Sequence, residues 1–224
     1  MKRIILSTLP LLIISNLFGQ GYRSGGQALK IGVYADPMIS WFAPESRTVH
    51  SEGTVIGIDG GLMLNKYFQK NYAVETGISI GTQGGSLLFD DEVVFTSYDV
   101  DDTLDAGTSV DYRLNYITVP VGLKLKTNEI GYFSYFARLG FSNQFNIKAK
   151  ASSSEGTLND SDIGDEIFFY NLSYYFGAGI HFNISEDTAL LLGVNYINGF
   201  INITREDGLK TNTRAVTLRL GVIF

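Results

Sequence analysis

Ala215-Val216-Thr217-Leu218-Arg219-Leu220-Gly221-Val222-Ile223-Phe224 closes the chain with large apolar residues at every second position, alternating with Ala215, Thr217, Arg219, Gly221 and Ile223. Side chains alternate across a strand, so Val216, Leu218, Leu220, Val222 and Phe224 share one face, and Thr217, Arg219 and Gly221 lie on the other. A face that is wholly apolar, set opposite an arginine, suits a strand with an apolar solvent outside it and a polar interior behind it. That is the dyad pattern of a strand in a transmembrane β-barrel.

Seven earlier segments obey the same rule. Leu29, Ile31, Val33, Ala35, Ile39 and Trp41 oppose Lys30, Gly32, Tyr34, Asp36 and Ser40. Ile56, Ile58, Leu62 and Leu64 oppose Gly57, Asp59, Gly61 and Asn65, and Tyr72, Val74, Thr76, Ile78 and Ile80 oppose Ala73, Glu75, Gly77 and Ser79. Further segments follow at 116–125, 133–146, 168–182 and 190–200, the first of them interrupted by Pro120. A proline cannot donate to a ladder, so a β-bulge or a division into two strands is expected there. Pro37 raises the same question in the first segment. Eight is an even count, as single-chain bacterial barrels require. Most segments exceed the roughly 9–11 residues that a tilted strand needs to cross hydrocarbon.

The intervals alternate in length. Those at 65–71, 126–131 and 183–187 are short; those at 43–53, 83–111 and 149–166 are long, and 205–210 is moderate. Short turns at one end and long loops at the other give the barrel a periplasmic and an extracellular side, with both termini on the short-turn side. The expected fold is all-β: one eight-stranded antiparallel up-and-down transmembrane barrel over residues 21–224 with a filled lumen.

Composition agrees. Fifteen Phe, thirteen Tyr and 25 Gly against four Pro favour many strands joined by turns. Cysteine is absent, which excludes disulfides, thiolate metal sites and a cysteine nucleophile. Lys2 and Arg3 precede an apolar stretch from Ile4 to Phe18 and then Gly19-Gln20-Gly21, the order of a secretory signal peptide, assigned to residues 1–20. Its removal would take the formal charge from −6 to −8. An exported acidic chain has no electrostatic case for binding nucleic acid. The expected location is the outer membrane of a Gram-negative cell.

Leu114-Asn115-Tyr116-Ile117-Thr118-Val119-Pro120-Val121-Gly122-Leu123-Lys124 resembles a strand of the small outer-membrane β-barrel family of Bacteroidota often called PorT-like. So do Leu29–Tyr34, Tyr72–Ile78, Tyr174–Ile180 and Asn195–Phe200, in the family's order. Terminal Phe224 resembles the signal by which outer-membrane proteins are recognised for insertion. The resemblance implies an eight-stranded barrel in the outer membrane and little about activity. Lipid and the barrel-assembly machinery are the expected partners, with an envelope or secretion-system protein as a further candidate that the resembling residues do not themselves indicate. It carries no catalytic motif and no cofactor.

Two sets of residues stand out as candidate sites. Lys30, Asp36, Asp59, Glu75, Lys124, Arg138, His181 and Arg219 all fall on the inward face. An eight-stranded barrel holds only its own side chains, so these read as a structural network of paired charges, with Glu75 and Asp59 as the partners expected for Arg219. The second set is acidic. Asp99, Asp101, Asp102 and Asp105 lie in an interval with no Lys or Arg, and calcium could bridge such carboxylates. The glycine and closing glutamate of an EF-hand loop are missing, and solvated loops are the plainer reading. His50 and His181 are expected far apart. His50 could meet an acidic residue of the second loop, but no companion motif for general-base or nucleophilic catalysis accompanies it, and a surface histidine is the plainer reading. Tyr67, Phe68, Tyr72, Tyr132 and Phe133 are expected in a periplasmic girdle, with Phe168 and Tyr170 in an outer one.

The functional expectation is a non-enzymatic membrane scaffold whose acidic outer loops meet a partner or ions. The alternatives are a narrow channel or secretion-linked component, and a soluble lipocalin-like barrel that turns its apolar residues inward around a ligand.

Overall fold

The computed structural model describes residues 29–97, 100–154, 158–185, 187–205 and 210–224, the side chains of 93–104 apart. The segment assigned to a signal peptide, residues 1–20, lies outside them, as does Asp99. Eight long antiparallel strands form a closed ring: β1 (Leu29–Pro44), β2 (Val49–Gln69), β3 (Tyr72–Phe89), β6 (Thr108–Lys126), β7 (Phe133–Ser153), β9 (Tyr170–Asn183), β10 (Ala189–Gly199) and β11 (Thr211–Ile223). Each pairs with the next, and β11 returns to β1. A small hairpin of β4 (Val93–Ser97) and β5 (Val100–Leu104) rises from the β3–β6 connection. The two-residue β8 (Ser161–Asp162) and a 3-10 turn at Gly164–Glu166 lie in the β7–β9 connection.

The faces point as their chemistry requires. Leu192, Val194, Leu218 and Leu220 are exposed on the outside, whereas Thr217 and Arg219, their neighbours in sequence, are buried inside. Apolar side chains therefore face the surroundings and charged ones the lumen, which is the reverse of a lipocalin-like carrier.

The strands run further than the dyad pattern indicates, because the pattern inverts. Beyond Trp41 the buried positions become apolar: Phe42, Val49, Leu87, Phe89, Val110 and Tyr112. Outward positions there are polar, with Glu52, Asp111, Arg113 and Lys148 exposed. Such strands have water outside and their own apolar core within. On β7 the change of parity has a local cause. Ile147 is an extra residue between the pairs Asn115↔Lys148 and Tyr116↔Asn146, a β-bulge that turns Ala149 and Ala151 inward. The interval 43–53, expected as a long loop, therefore shrinks to the turn between Pro44 and Val49.

This outer core closes the barrel mouth. Leu158, Ile163, Ile167 and Ile203 fold over it from the β7–β9 and β10–β11 connections, and Phe42 meets Tyr112 edge-on at 5.6 Å. Strand β3 also leans across to β1, where Gly84 N–H donates to Ser40 Oγ at 2.8 Å. Gly85 permits the approach, since a Cβ there would stand 2.7 Å from the Phe42 nitrogen. A second apolar cluster, Tyr34, Met63, Phe136, Leu191 and Ile223, fills the lumen toward the end that holds the termini. Between these two apolar plugs lies the charged layer.

Pro120 causes neither a bulge nor a break. Strand β6 is continuous through it, and the β3–β6 register is the same on either side, Thr76↔Val121 and Ser79↔Thr118. The ladder merely omits the rungs between, and Thr76 Oγ1 donates to Pro120 O at 2.9 Å. The girdles hold with one correction. Phe68 stacks on Tyr72, Tyr132 and Phe133 pack on Phe182, and Phe168 and Tyr170 are exposed at the outer boundary. Tyr67, however, is buried, because its parity matches inward Asn65 and Met63 rather than outward Phe68.

If the outward faces meet hydrocarbon, Leu192→Arg should cost about 2–4 kcal/mol of barrel stability. Asp105→Asn at the exposed outer end should cost nearly nothing. Urea titration of heat-resistant gel migration in both variants checks the difference.

Candidate functional site

Glu75 on β3 is the hub of the charged layer. Its carboxylate forms an ion pair with Arg138 of β7, with Lys124 of β6 at 4.0 Å and with Arg219 of β11 at 3.9 Å. Arg219 also forks onto Asp36 of β1 through three hydrogen bonds of 2.7–3.1 Å. Asp36, Glu75, Lys124, Arg138 and Arg219 are all buried. Five of the eight inward residues thus form one connected set. Buried charges are tolerable only when paired, because desolvating each costs several kcal/mol.

The other three stand apart. Asp59 accepts a hydrogen bond from Tyr34 Oη at 3.2 Å and does not reach Arg219, which takes Asp36 in its place. Lys30 sits at the end of β1 and bonds Asp187, in the β9–β10 turn, at 2.6 Å. That hydrogen bond and the lysine's charge hold the exposed Asp187 carboxyl below the usual carboxylate range. His181 is buried against Phe136, ring centroids 4.9 Å apart, and takes part in no ion pair among the described residues.

Aromatic residues complete the layer. The Arg219 guanidinium lies 4.0 Å from the Tyr34 ring centroid, Arg138 lies 4.4 Å from Tyr175, and Lys124 Nζ lies 4.6 Å from Phe136. Each ring offers a cation its negative face, worth up to about 2 kcal/mol where water is excluded. Gly122 makes room for Tyr175, since a Cβ there would come 2.3 Å from the tyrosine oxygen. Asn195 links the layer upward, accepting from Arg138 at 3.4 Å and donating to Thr217 at 2.9 Å. None of these neutral partners figured among the candidates, although the parity of Tyr34 and Tyr175 matches that of the charged residues beside them. What remains open in the middle of the lumen is a cavity of about 40 Å³ lined by Asp36, Asp59, Gln83, Tyr116, Arg138 and Arg219, among others. That holds water molecules and nothing larger.

The acidic set lies at the other end of the molecule. Asp101 and Asp102 are in β5, opposite Thr96 and Phe95 of β4, and Asp105 is exposed just past the hairpin. No group of three or more His, Asp or Glu residues placed to hold a metal ion occurs among the described residues. His50 bonds Asp90 at 3.0 Å near the outer end, far along the barrel from His181.

A closed ring of eight antiparallel strands, apolar outside and charged within, defines an outer-membrane β-barrel. Residues 18–214 match the model of the outer membrane protein beta-barrel domain, and the chain belongs to that family. It is therefore a protein of the outer membrane. Among solved structures it is similar to Neisserial surface protein A, at 12% identity and a TM-score of 0.51, covering 89% of this chain and 98% of that one. It is also similar to the attachment invasion locus protein Ail of Yersinia pestis, at 18% identity and a TM-score of 0.43, covering 89% and 100% of the two chains. OprG of Pseudomonas aeruginosa follows at 10% identity and 0.44, covering 89% and 96%. These likenesses concern the fold. No curated protein matches the chain.

Glu75→Gln would leave Lys124 and Arg138 buried without their carboxylate, and should cost about 3–5 kcal/mol. Lys30→Ala breaks a solvent-screened pair and should cost no more than about 1 kcal/mol. Equilibrium unfolding in lipid vesicles, compared between the two variants, tests that ordering.

Proposed function

We propose that this chain is a non-enzymatic scaffold of the outer membrane, and that it acts through its outer surface while its lumen serves only to hold the barrel together. The observation that supports this reading is the lumen's stacking: an apolar plug, a layer of paired charges around a cavity of about 40 Å³, and a second apolar plug. The working surface is then the outer end, where the β4–β5 hairpin rises from a packed base. From Asn71 to Tyr112 the sequence contains no Lys or Arg, and Asp90, Asp91, Glu92, Asp101, Asp102 and Asp105 flank or form that hairpin. Such a surface selects cationic partners, whether a basic segment of an envelope protein or a divalent ion. The envelope partner proposed is a protein of the cell envelope, a secretion-system component among the candidates. Residues 1–20 are its export signal in this reading.

Reconstituted in a planar bilayer, the protein should show no steady conductance. Stable open channels would overturn the scaffold reading in favour of a narrow channel. Titration of the reconstituted protein with calcium in a calorimeter tests the ion as partner. Heat that disappears in Asp101→Asn/Asp105→Asn assigns the surface to an ion, and the absence of heat removes calcium and leaves solvated acidic loops.

A further inference from the structure

The ring closes between its first and last strands, and that seam has a gap. Pairing of β1 with β11 runs from Gly32↔Ile223 to Ala35↔Leu220, lapses, and resumes at Met38↔Thr217 in the same register. Continuing the register through the gap sets Asp36 opposite Arg219 and Pro37 opposite Leu218. Ile31 and Phe224 exchange both backbone bonds. By antiparallel alternation, the nitrogens of Val33, Ala35 and Pro37 therefore face β11. Pro37 has no N–H to give. The β1–β2 ladder on its other side keeps its rungs at Asp36↔Asp59 and Pro37↔Ile58. The missing donor thus falls on the closing seam alone, in the lipid-facing stretch between exposed Val33 and Ile39. In hydrocarbon, no water replaces a lost rung.

At this gap the side chains bridge the two strands. Arg219 and Asp36 form the only forked ion pair among the described residues, with Arg219 Nε and Nη2 both on the Asp36 carboxylate. The Tyr34 ring lies against the guanidinium from β1, and Glu75 approaches it from β3 at 3.9 Å. Outside, an open apolar concavity of about 720 Å³ crosses β9, β10, β11 and β1, with Val33 and Ala35 beside Leu220 and Val222 at its seam edge.

We infer that the Asp36–Arg219 pair is the clasp of the barrel, holding the first strand to the last at the point where Pro37 deprives the seam of a backbone bond. The pair acts on closure, and its loss opens the β1–β11 junction before any other. This separates it from Glu75, which joins strands across the lumen.

The chain has no cysteine, so a seam disulfide can be introduced cleanly at Met38→Cys/Thr217→Cys, an inward-facing register pair. Asp36→Asn should speed unfolding from vesicles by about tenfold or more, as expected for a broken buried pair. In the oxidised disulfide background it should unfold within about twofold of the disulfide-bearing parent, since a cross-link carries the role of the clasp. Glu75→Gln should stay fast in that background. If Asp36→Asn alone gives no folded protein, the oxidised background decides: recovery supports the clasp, and failure to recover overturns it. Unfolding of Asp36→Asn as slow as the parent's, or equal rescue of Asp36→Asn and Glu75→Gln, would also overturn it.

Discussion

In a hydrocarbon solvent every backbone N–H and C=O of a spanning segment must find its partner within the protein. For strands the only complete solution is a ring, and the order β1-β2-β3-β6-β7-β9-β10-β11 and back to β1 is that solution. Much else follows from closing eight strands. The radius leaves room for side chains and not for a pore, so the inward residues must pack and neutralise one another. Pro37 and Pro120, the prolines inside barrel strands rather than at a strand end, each sit where a rung is omitted without loss of register. At each, a side chain supplies a bond, from Thr76 to Pro120 O and from Arg219 to Asp36.

The lumen combines two ways of filling space. Its ends use apolar clusters, which are forgiving of geometry. Its middle uses Glu75 and Asp36 against three cations whose flanks rest on Tyr34, Phe136 and Tyr175. A charged layer buried between apolar ones is exacting, because a shift of one strand by a single residue turns its charge out to lipid. The layer therefore favours one register of the ring over its neighbours, whatever it adds to stability.

The ring, its strand count and the direction of its faces were legible in the sequence because a period of two is a local signal. Thr217 and Arg219 inside with Leu218 and Leu220 outside could be read from four residues. Which inward residues touch was not legible, since contact depends on height within the barrel as well as parity. Arg219 meets Asp36 because the β1–β11 register sets them level, and Asp59 turns instead to Tyr34. The outer extensions depart from that local signal as well. Reading apolar as outward fails once strands leave the membrane, and Phe42, Leu87 and Val110 then pass for loop residues. The bulge at Ile147 hid the change further by shifting parity within one strand.

The core around Phe42, Phe89 and Tyr112 stands above the lipid-facing band and is roofed by Leu158 and Ile163. It divides labour along the barrel axis: what keeps the membrane sealed lies below it, and what the cell's surroundings meet lies above. Hairpin tips beyond that roof can lengthen, shorten or change charge without opening a leak. A lineage under pressure at its exterior can thus vary its visible surface quickly while the wall beneath stays fixed.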